Sequence, residues 1–222
     1  MTEQIALFPL GTVLFPGLVL PLHVFEPRYR HLVQDLLAAP EPRRFGIVAI
    51  RKGSETGVDG VEALYDVGCT ATLAEVESLD DGRFNLLTVG TSRFRLHALD
   101  NSLPYFRGDV ELLDESTGDE SECALLVQAV HAAFNEYVTT LLEKTGSQIE
   151  LTELPDDPTI LSYVVAAAIV VDMSDKQALL AEPDALRRLA AERALLTREV
   201  AMLRALTAAP APDLTRTPYS PN

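Results

Sequence analysis

Pro9, Pro16, Pro21 and Pro27 punctuate an almost wholly apolar N-terminal stretch that runs from Ile5 through Val13-Leu14-Phe15 to Phe25. Proline has no N–H to give a sheet ladder, so it is confined to strand starts, edges and bulges. Apolar runs this short are strands rather than core helices. The stretch therefore predicts short extended pieces turning corners. Pro27 then opens a helix at the position where its missing N–H costs nothing.

Downstream, Tyr29, Leu32, Val33, Leu36 and Leu37 have helical spacing, and the helix is stopped before Pro40 and Pro42. Phe45–Ile50 reads as a compact apolar strand, and the polar, glycine-bearing segment 51–60 as a mobile loop. Residues 66–77 alternate, with Val67, Cys69, Ala71 and Leu73 on one face. Asp80-Asp81-Gly82 is a hairpin turn into Phe84–Leu96, and Tyr105–Leu113 is the last strand of this half. About six short strands with one early helix predict a small, partly closed β-barrel over residues 1–115.

The second half is helical. Past an acidic linker at 114–122, Leu126, Val130, Phe134, Tyr137 and Leu141 share one helix face that ends at Gly146. Pro155-Asp156-Asp157-Pro158 caps a helix to about Val171, and Ser174–Gln177 fits a capping box for a short helix through Ala181. Pro183 opens the longest helix, with Leu186, Leu189, Leu196, Val200 and Leu203 on its inner stripe. The chain is expected to be α+β: a β pseudobarrel over 1–115, a helical bundle over 116–209 and an unfolded Pro/Thr/Ser tail over 210–222.

Five ordered motifs resemble the Lon protease N-terminal substrate-binding domain. Phe8-Pro9-Leu10, Leu14-Phe15-Pro16-Gly17, Leu20-Pro21-Leu22 and Phe25-Glu26-Pro27-Arg28-Tyr29 match its opening strands and helix. Asp66-Val67-Gly68, Gly82-Arg83, and Gly90 with Arg93-Phe94-Arg95 are similar to its inner strands. Leu154-Pro155-Asp156, Lys176-Gln177 with Leu179-Leu180, and Arg187–Leu189 are similar to its helical part. The likeness covers about residues 3–207 and breaks down in the 51–62 loop and the tail. It implies a PUA-like barrel followed by helices, and the recognition of unfolded or degron-bearing polypeptide segments.

The charge balance narrows the partners. Asp plus Glu number 33 against 18 Lys plus Arg, a net charge of −15, which repels a phosphate backbone. Cys69 and Cys123 are too few and too scattered for a disulfide framework or a zinc knuckle, as expected in a reducing cytoplasm. Glu3 and Gln4 stand where a secretory leader needs basic residues. The longest apolar run, Tyr163–Val171, falls far short of the ~20 residues a bilayer requires. The expectation is a soluble cytoplasmic chain with no nucleic-acid or membrane partner.

No assembled chemistry is visible. The full Lon protease adds an ATPase and a Ser–Lys protease, and neither signature is here. The three lysines, Lys52, Lys144 and Lys176, follow no GxxxxGK[ST] loop. Ser174 and Lys176 are neighbours, but both belong to a solvated helix start rather than to a site that desolvates the lysine. His23, Glu26 and His31 match no metal spacing. The paired carboxylates at 80–81, 114–115 and 156–157 lie in turns or caps rather than a shared cleft. The reading is therefore not an enzyme, with no catalytic residue, metal or cofactor.

What remains is surface. Phe15, Leu18, Val19, Phe25 and Tyr29 are more large hydrophobes than a short proline-bent segment buries easily within a small barrel. Read one way they form an exposed apolar patch, beside an edge strand to which an extended peptide adds. Read the other way they form the barrel floor and its contact with the helical half. Strand alternation places Phe94 and Leu96 inward and Arg93 and Arg95 outward. There the two arginines receive an acidic segment, or pair with Glu75 or Glu111. The favoured function is a stand-alone, non-catalytic polypeptide-binding module that presents clients to a separate protease or holds them. The competing function is a small-molecule or RNA-binding module of PUA type.

Overall fold

In the computed structural model, which describes residues 2–55, 60–145 and 153–208, five strands close on one another. Strand β1 (Thr2–Leu10) pairs antiparallel with β7 (Arg107–Leu112), β7 with β6 (Phe84–Asp100), β6 with β5 (Val67–Ser78), and β5 with β3 (Arg44–Gly53). Strand β3 then returns to β1 in parallel, Leu7 beside Gly46 and Leu10 beside Ala49, and the ring is complete. A parallel pair needs a long crossover. Here β2 (Val19–Val24) and α1 (Pro27–Ala38) supply it. Strand β2 lies along the first half of β6, from Val19 beside Val89 to Val24 beside Phe84, and β4 (Val61–Leu64) extends β3.

The apolar run in β3 is buried on both faces. Val48 joins Ile5, Leu7, Phe94 and Val110 in one cluster, and a Cβ at Gly46 would meet Leu7, Ile5 and Phe94 at 3.0 Å or less. Phe45 and Ile47 pack with Phe8 and with Leu32, Val33 and Leu36 of α1. Register shifts between Cys69 and Ala71, Leu73 and Glu75, and Leu96 and Ala98 bend β5 and the 17-residue β6 around the ring.

The helical half comprises α2 (Glu120–Thr145), α3 (Pro158–Ala168), α4 (Met173–Ala181) and α5 (Ala185–Ala208). Its core is Val130, Phe134, Tyr137, Leu161, Val165, Leu189 and Leu196. As the sequence predicts, Asp157 caps α3, accepting the Ile160 N–H at 2.8 Å, with Pro158 in the first turn. The mixed fold expected from the sequence is the fold observed.

Several boundaries differ from expectation. Strand β3 continues through Gly53, into the stretch read as a loop, and β4, which the sequence reading did not assign, follows that stretch at Val61–Leu64. Helix α2 begins at Glu120 rather than past the linker, because Asp119 accepts the Ser121 and Glu122 N–H groups. Asp172, not Ser174, holds the N-cap position of α4, without a side-chain capping bond, and α3 stops at Ala168. Lys176, expected in solvent, is half-buried and donates to the Ala167 carbonyl at 2.5 Å. The helix stop at Gly146 and the 210–222 tail lie outside the described residues.

Candidate functional site

The loop between β1 and β2 turns at Pro16-Gly17, where Gly17 takes φ 79°, a left-handed conformation that favours glycine. The backbone then docks on β6: the Gly17 N–H donates to the Gly90 carbonyl at 2.9 Å, and Gly90 returns a bond to Leu18 at 2.8 Å. A Cβ at Gly90 would strike the Phe15 carbonyl. This docking drives Phe15 inward and leaves the next strand on the surface.

The structure splits the expected apolar patch. Val19 is 58% exposed and Phe25 is 50% exposed, and Leu18 is partly covered. Phe15, 1% exposed, is instead a core residue, packed with Val67, Tyr163, Ala166, Leu179 and Leu180 where the barrel meets the helices. Tyr29, 3% exposed, is also inside, its ring stacked on Phe8 with centroids 4.2 Å apart. The expectation of an exposed Phe15 and Tyr29 is therefore corrected: the barrel-floor reading holds for both.

The basic pair is split in the same way. Arg95 is exposed, as expected. It stands beside Glu111 in the β6–β7 register, but that carboxylate is held by His97 Nε2 at 3.0 Å. Arg93, expected outward, is 1% exposed because the helical half covers that face of β6. Its guanidinium bonds Glu115 at 3.0 and 3.2 Å, the Leu180 carbonyl at 3.0 Å and the Glu182 carbonyl. Arg188 shares Glu115 at 3.3 Å, bonds Ser162 Oγ at 2.9 Å and lies 4.1 Å over the Tyr163 ring. Gln177 ties α4 to the Val67 carbonyl at 2.7 Å. These groups hold the two halves together.

Strand β2 pairs with β6 on one side, and no strand of the described residues pairs with its other edge. Pro21 lies mid-strand and exposed, as an edge allows. Beside it opens a cleft of about 210 Å³ between β2, the end of β1 and the start of α1. Its apolar lining includes Phe8, Leu10, Leu22, Phe25 and Tyr29, with Glu26 and Glu55 also present. Arg28 neutralises that end, pairing with Glu26 at 3.0 Å, donating to the Glu55 carbonyl at 2.8 Å and covering the Tyr29 ring at 4.6 Å. Glu55 in turn accepts the Gly11 N–H. Among the described residues nothing hydrogen-bonds to the Tyr29 hydroxyl, which is sealed from solvent. Burial pushes its pKa up to about 12, against the opposing pull of Arg28.

A second cavity of about 660 Å³ lies at the junction, walled by Pro16, Leu113 and Ile160 over Arg93, Glu115 and Tyr163. Arg93 and Tyr163 both bind Glu115 there. Burial holds the Cys69 thiol up at about 12 and raises that of Cys123, which keeps both protonated at neutral pH. Among the described residues no three His, Cys, Asp or Glu side chains converge to hold a metal, and no helix is long and apolar enough to cross a membrane.

Of the residues the sequence singled out, Phe25 and Tyr29 line the cleft and Val19 is exposed on β2 beside it, whereas Leu10, Leu22 and the cleft itself were missed. The exposure pattern along β2, with Val19, Pro21 and His23 outward and Val24 inward, was the available signal.

Comparison with known proteins places this geometry in a family. Residues 4–198 match the model for the ATP-dependent protease La (LON) substrate-binding domain. The Lon protease of Escherichia coli K12 is 30% identical over 203 residues, which cover 90% of this chain and 25% of that protein. Lon protease 2 of Myxococcus xanthus is 28% identical over 204 residues, covering 91% and 24%. The chain thus spans about a quarter of the length of these relatives. Among solved structures, the Lon N-terminal domain protein from Xanthomonas campestris superposes with a TM-score of 0.60 at 23% identity, covering 94% of this chain and 99% of that one. The N-terminal domain of Mycobacterium avium complex Lon protease gives 0.60 at 16% identity, covering 90% and 98%.

Proposed function

The chain belongs to the LON substrate-binding domain family, and from this we propose that it is a stand-alone, non-catalytic module that grips polypeptide segments. The observation that carries the reading is the open edge of β2 beside an apolar cleft, with Val19 and Phe25 exposed along it. An extended segment adds main-chain hydrogen bonds to such an edge and places alternate side chains in neighbouring pockets. Unfolded or degron-bearing chains fit because they present an unpaired backbone and apolar side chains together. Arg95 lies further along the surface and receives an acidic flank of the client. The two halves, 1–115 and 116–209, act as one gripping body held by the Arg93–Glu115–Arg188 group. Clients are then held, or passed to a separate protease in the cytoplasm.

Fluorescence anisotropy with a labelled, permanently unfolded casein-type chain tests the reading. Saturable binding with a Kd on the order of tens of micromolar or tighter is the expected result. The absence of any binding in that range refutes it. The net charge of −15 opposes the RNA-binding alternative, which a filter-binding titration at low salt checks directly.

A further inference from the structure

Backbone groups of successive residues in a strand point to opposite edges. The Leu18 carbonyl, just before β2, accepts the Gly90 N–H at 2.8 Å, and the Leu20 carbonyl accepts the Thr88 hydroxyl at 2.8 Å, so both face β6. Val19, Pro21 and His23 therefore turn their main-chain groups to the free edge, where no other backbone group of the described residues bonds to them. All three keep a carbonyl there, but Pro21, at the centre, has no N–H to offer. Its ring carbon stands where the carbonyl of a paired strand would lie. The far bank of the cleft repeats the arrangement. On the β7 side of β1 the Leu7 N–H donates to the Phe106 carbonyl at 2.8 Å, and Pro9, two residues on, faces the same way beyond the β7 pairing. Pro9 and Pro21 both line the cleft. An extended chain entering here meets no main-chain donor at the centre of either bank.

We propose that Pro21 limits how a polypeptide is captured: a segment bonds the main chain of Val19 or of His23 but does not pair continuously across β2. The assignment rests on the polypeptide-binding reading and adds to it a short, readily released grip. A complete row of donors would let any unfolded chain, or the edge of a second copy of this protein, zip onto β2. With the row interrupted, side-chain contact with Val19 and Phe25 decides what stays bound. Pro21 is exposed, so packing of the core does not demand its ring.

The test compares the full 222-residue wild-type chain with Pro21→Ala, which restores one N–H while removing apolar surface, by anisotropy with the labelled unfolded casein-type chain. One added hydrogen bond should tighten Kd about fivefold. The amide restored at position 21 should exchange freely in the isolated variant and slow by about tenfold or more once casein saturates it. Pro21→Val returns the same N–H on a residue that favours strands and should give the same gain, so the outcome does not hang on the folding of one variant. Pro40→Ala, past α1 and away from the cleft, should bind as wild type does. An unchanged or weaker Kd in the folded Pro21 variants overturns the assignment, as does tightening without protection of the restored amide or an equal gain in Pro40→Ala. Failure of wild type and variants alike to bind the casein-type chain refutes polypeptide binding itself. Equal binding by all of them refutes only the role of Pro21.

Discussion

Glu192 is fully buried in α5 between Leu189 and Leu196, and neither carboxylate oxygen meets a hydrogen-bond partner among the described residues. Arg188, one turn away, is the nearby cation, but its guanidinium is spent on Glu115, Ser162 and the Leu179 carbonyl. Burial therefore raises the Glu192 pKa well above its ordinary value, with Arg188 only partly opposing. An acid whose pKa is raised by folding binds more protons in the native state than in the unfolded chain. Stability must then fall as pH rises from the unfolded pKa of about 4.3 through the folded one, by up to about 1.4 kcal/mol per pH unit. For a chain of this size each kcal/mol moves Tm by about 2–4 °C. Glu192→Gln keeps the shape and removes the titration. Scanning calorimetry from pH 5 upward should show the variant gaining on wild type by about 3–5 °C per pH unit, with the two converging near pH 4.5. Parallel pH profiles for the two proteins would sink the argument.

Four further substitutions test the rest of the architecture. Phe15→Ala removes a ring packed at the barrel–helix junction and should cost about 3–5 kcal/mol, read as a lowered urea midpoint with an unchanged slope. Glu115→Gln leaves Arg93 and Arg188 buried without their carboxylate; the expected loss is about 2–3 kcal/mol, at the low end for a buried pair because a third of the Glu115 side chain is exposed. Arg95→Ala, two residues from Arg93 but solvent-facing, should stay within about 0.5 kcal/mol of wild type in the same assay. Val19→Asp on the exposed edge should leave Tm within a degree or two and weaken the unfolded casein-type chain several-fold, whereas a stability loss with intact binding would remove β2 from the client interface.

Much of this fold is legible in the chain because local signals agree with tertiary ones. Pro27 starts α1, Asp157 and Pro158 start α3, and Asp80-Asp81-Gly82 makes the turn into β6, where Gly82 takes φ 77°. Where the readings fail, long-range contacts decide. Arg93 and Arg95 are indistinguishable by alternation; what separates them is a helical half that begins more than twenty residues later and covers only one. Phe15 and Phe25 are alike in sequence, yet one is pulled beneath Tyr163 by the Gly17–Gly90 docking and the other is left at the cleft mouth. Strand β4 was illegible because Val61–Leu64 is too short and too plain to signal anything without β3 beside it.

Tyr29 and Glu192 pose the same energetic question, since each keeps a polar group buried and unpaired at a cost to stability. Their acidities separate the answers. Glu192 sits among the apolar side chains of the helical bundle, away from both the β2 cleft and the junction cavity, so no incoming group relieves it and only protonation does. The Tyr29 hydroxyl is likewise closed to solvent, but burial holds its pKa up at about 12, so it stays protonated throughout the neutral range. Replacing either by its neutral counterpart, Tyr29→Phe or Glu192→Gln, should therefore leave the fold as stable or more so at pH 7. Only Glu192→Gln should gain on wild type as the pH rises, because only there does folding shift a proton in that range. A gain of the same slope in Tyr29→Phe would assign the effect to some other titrating group and remove Glu192 from the account.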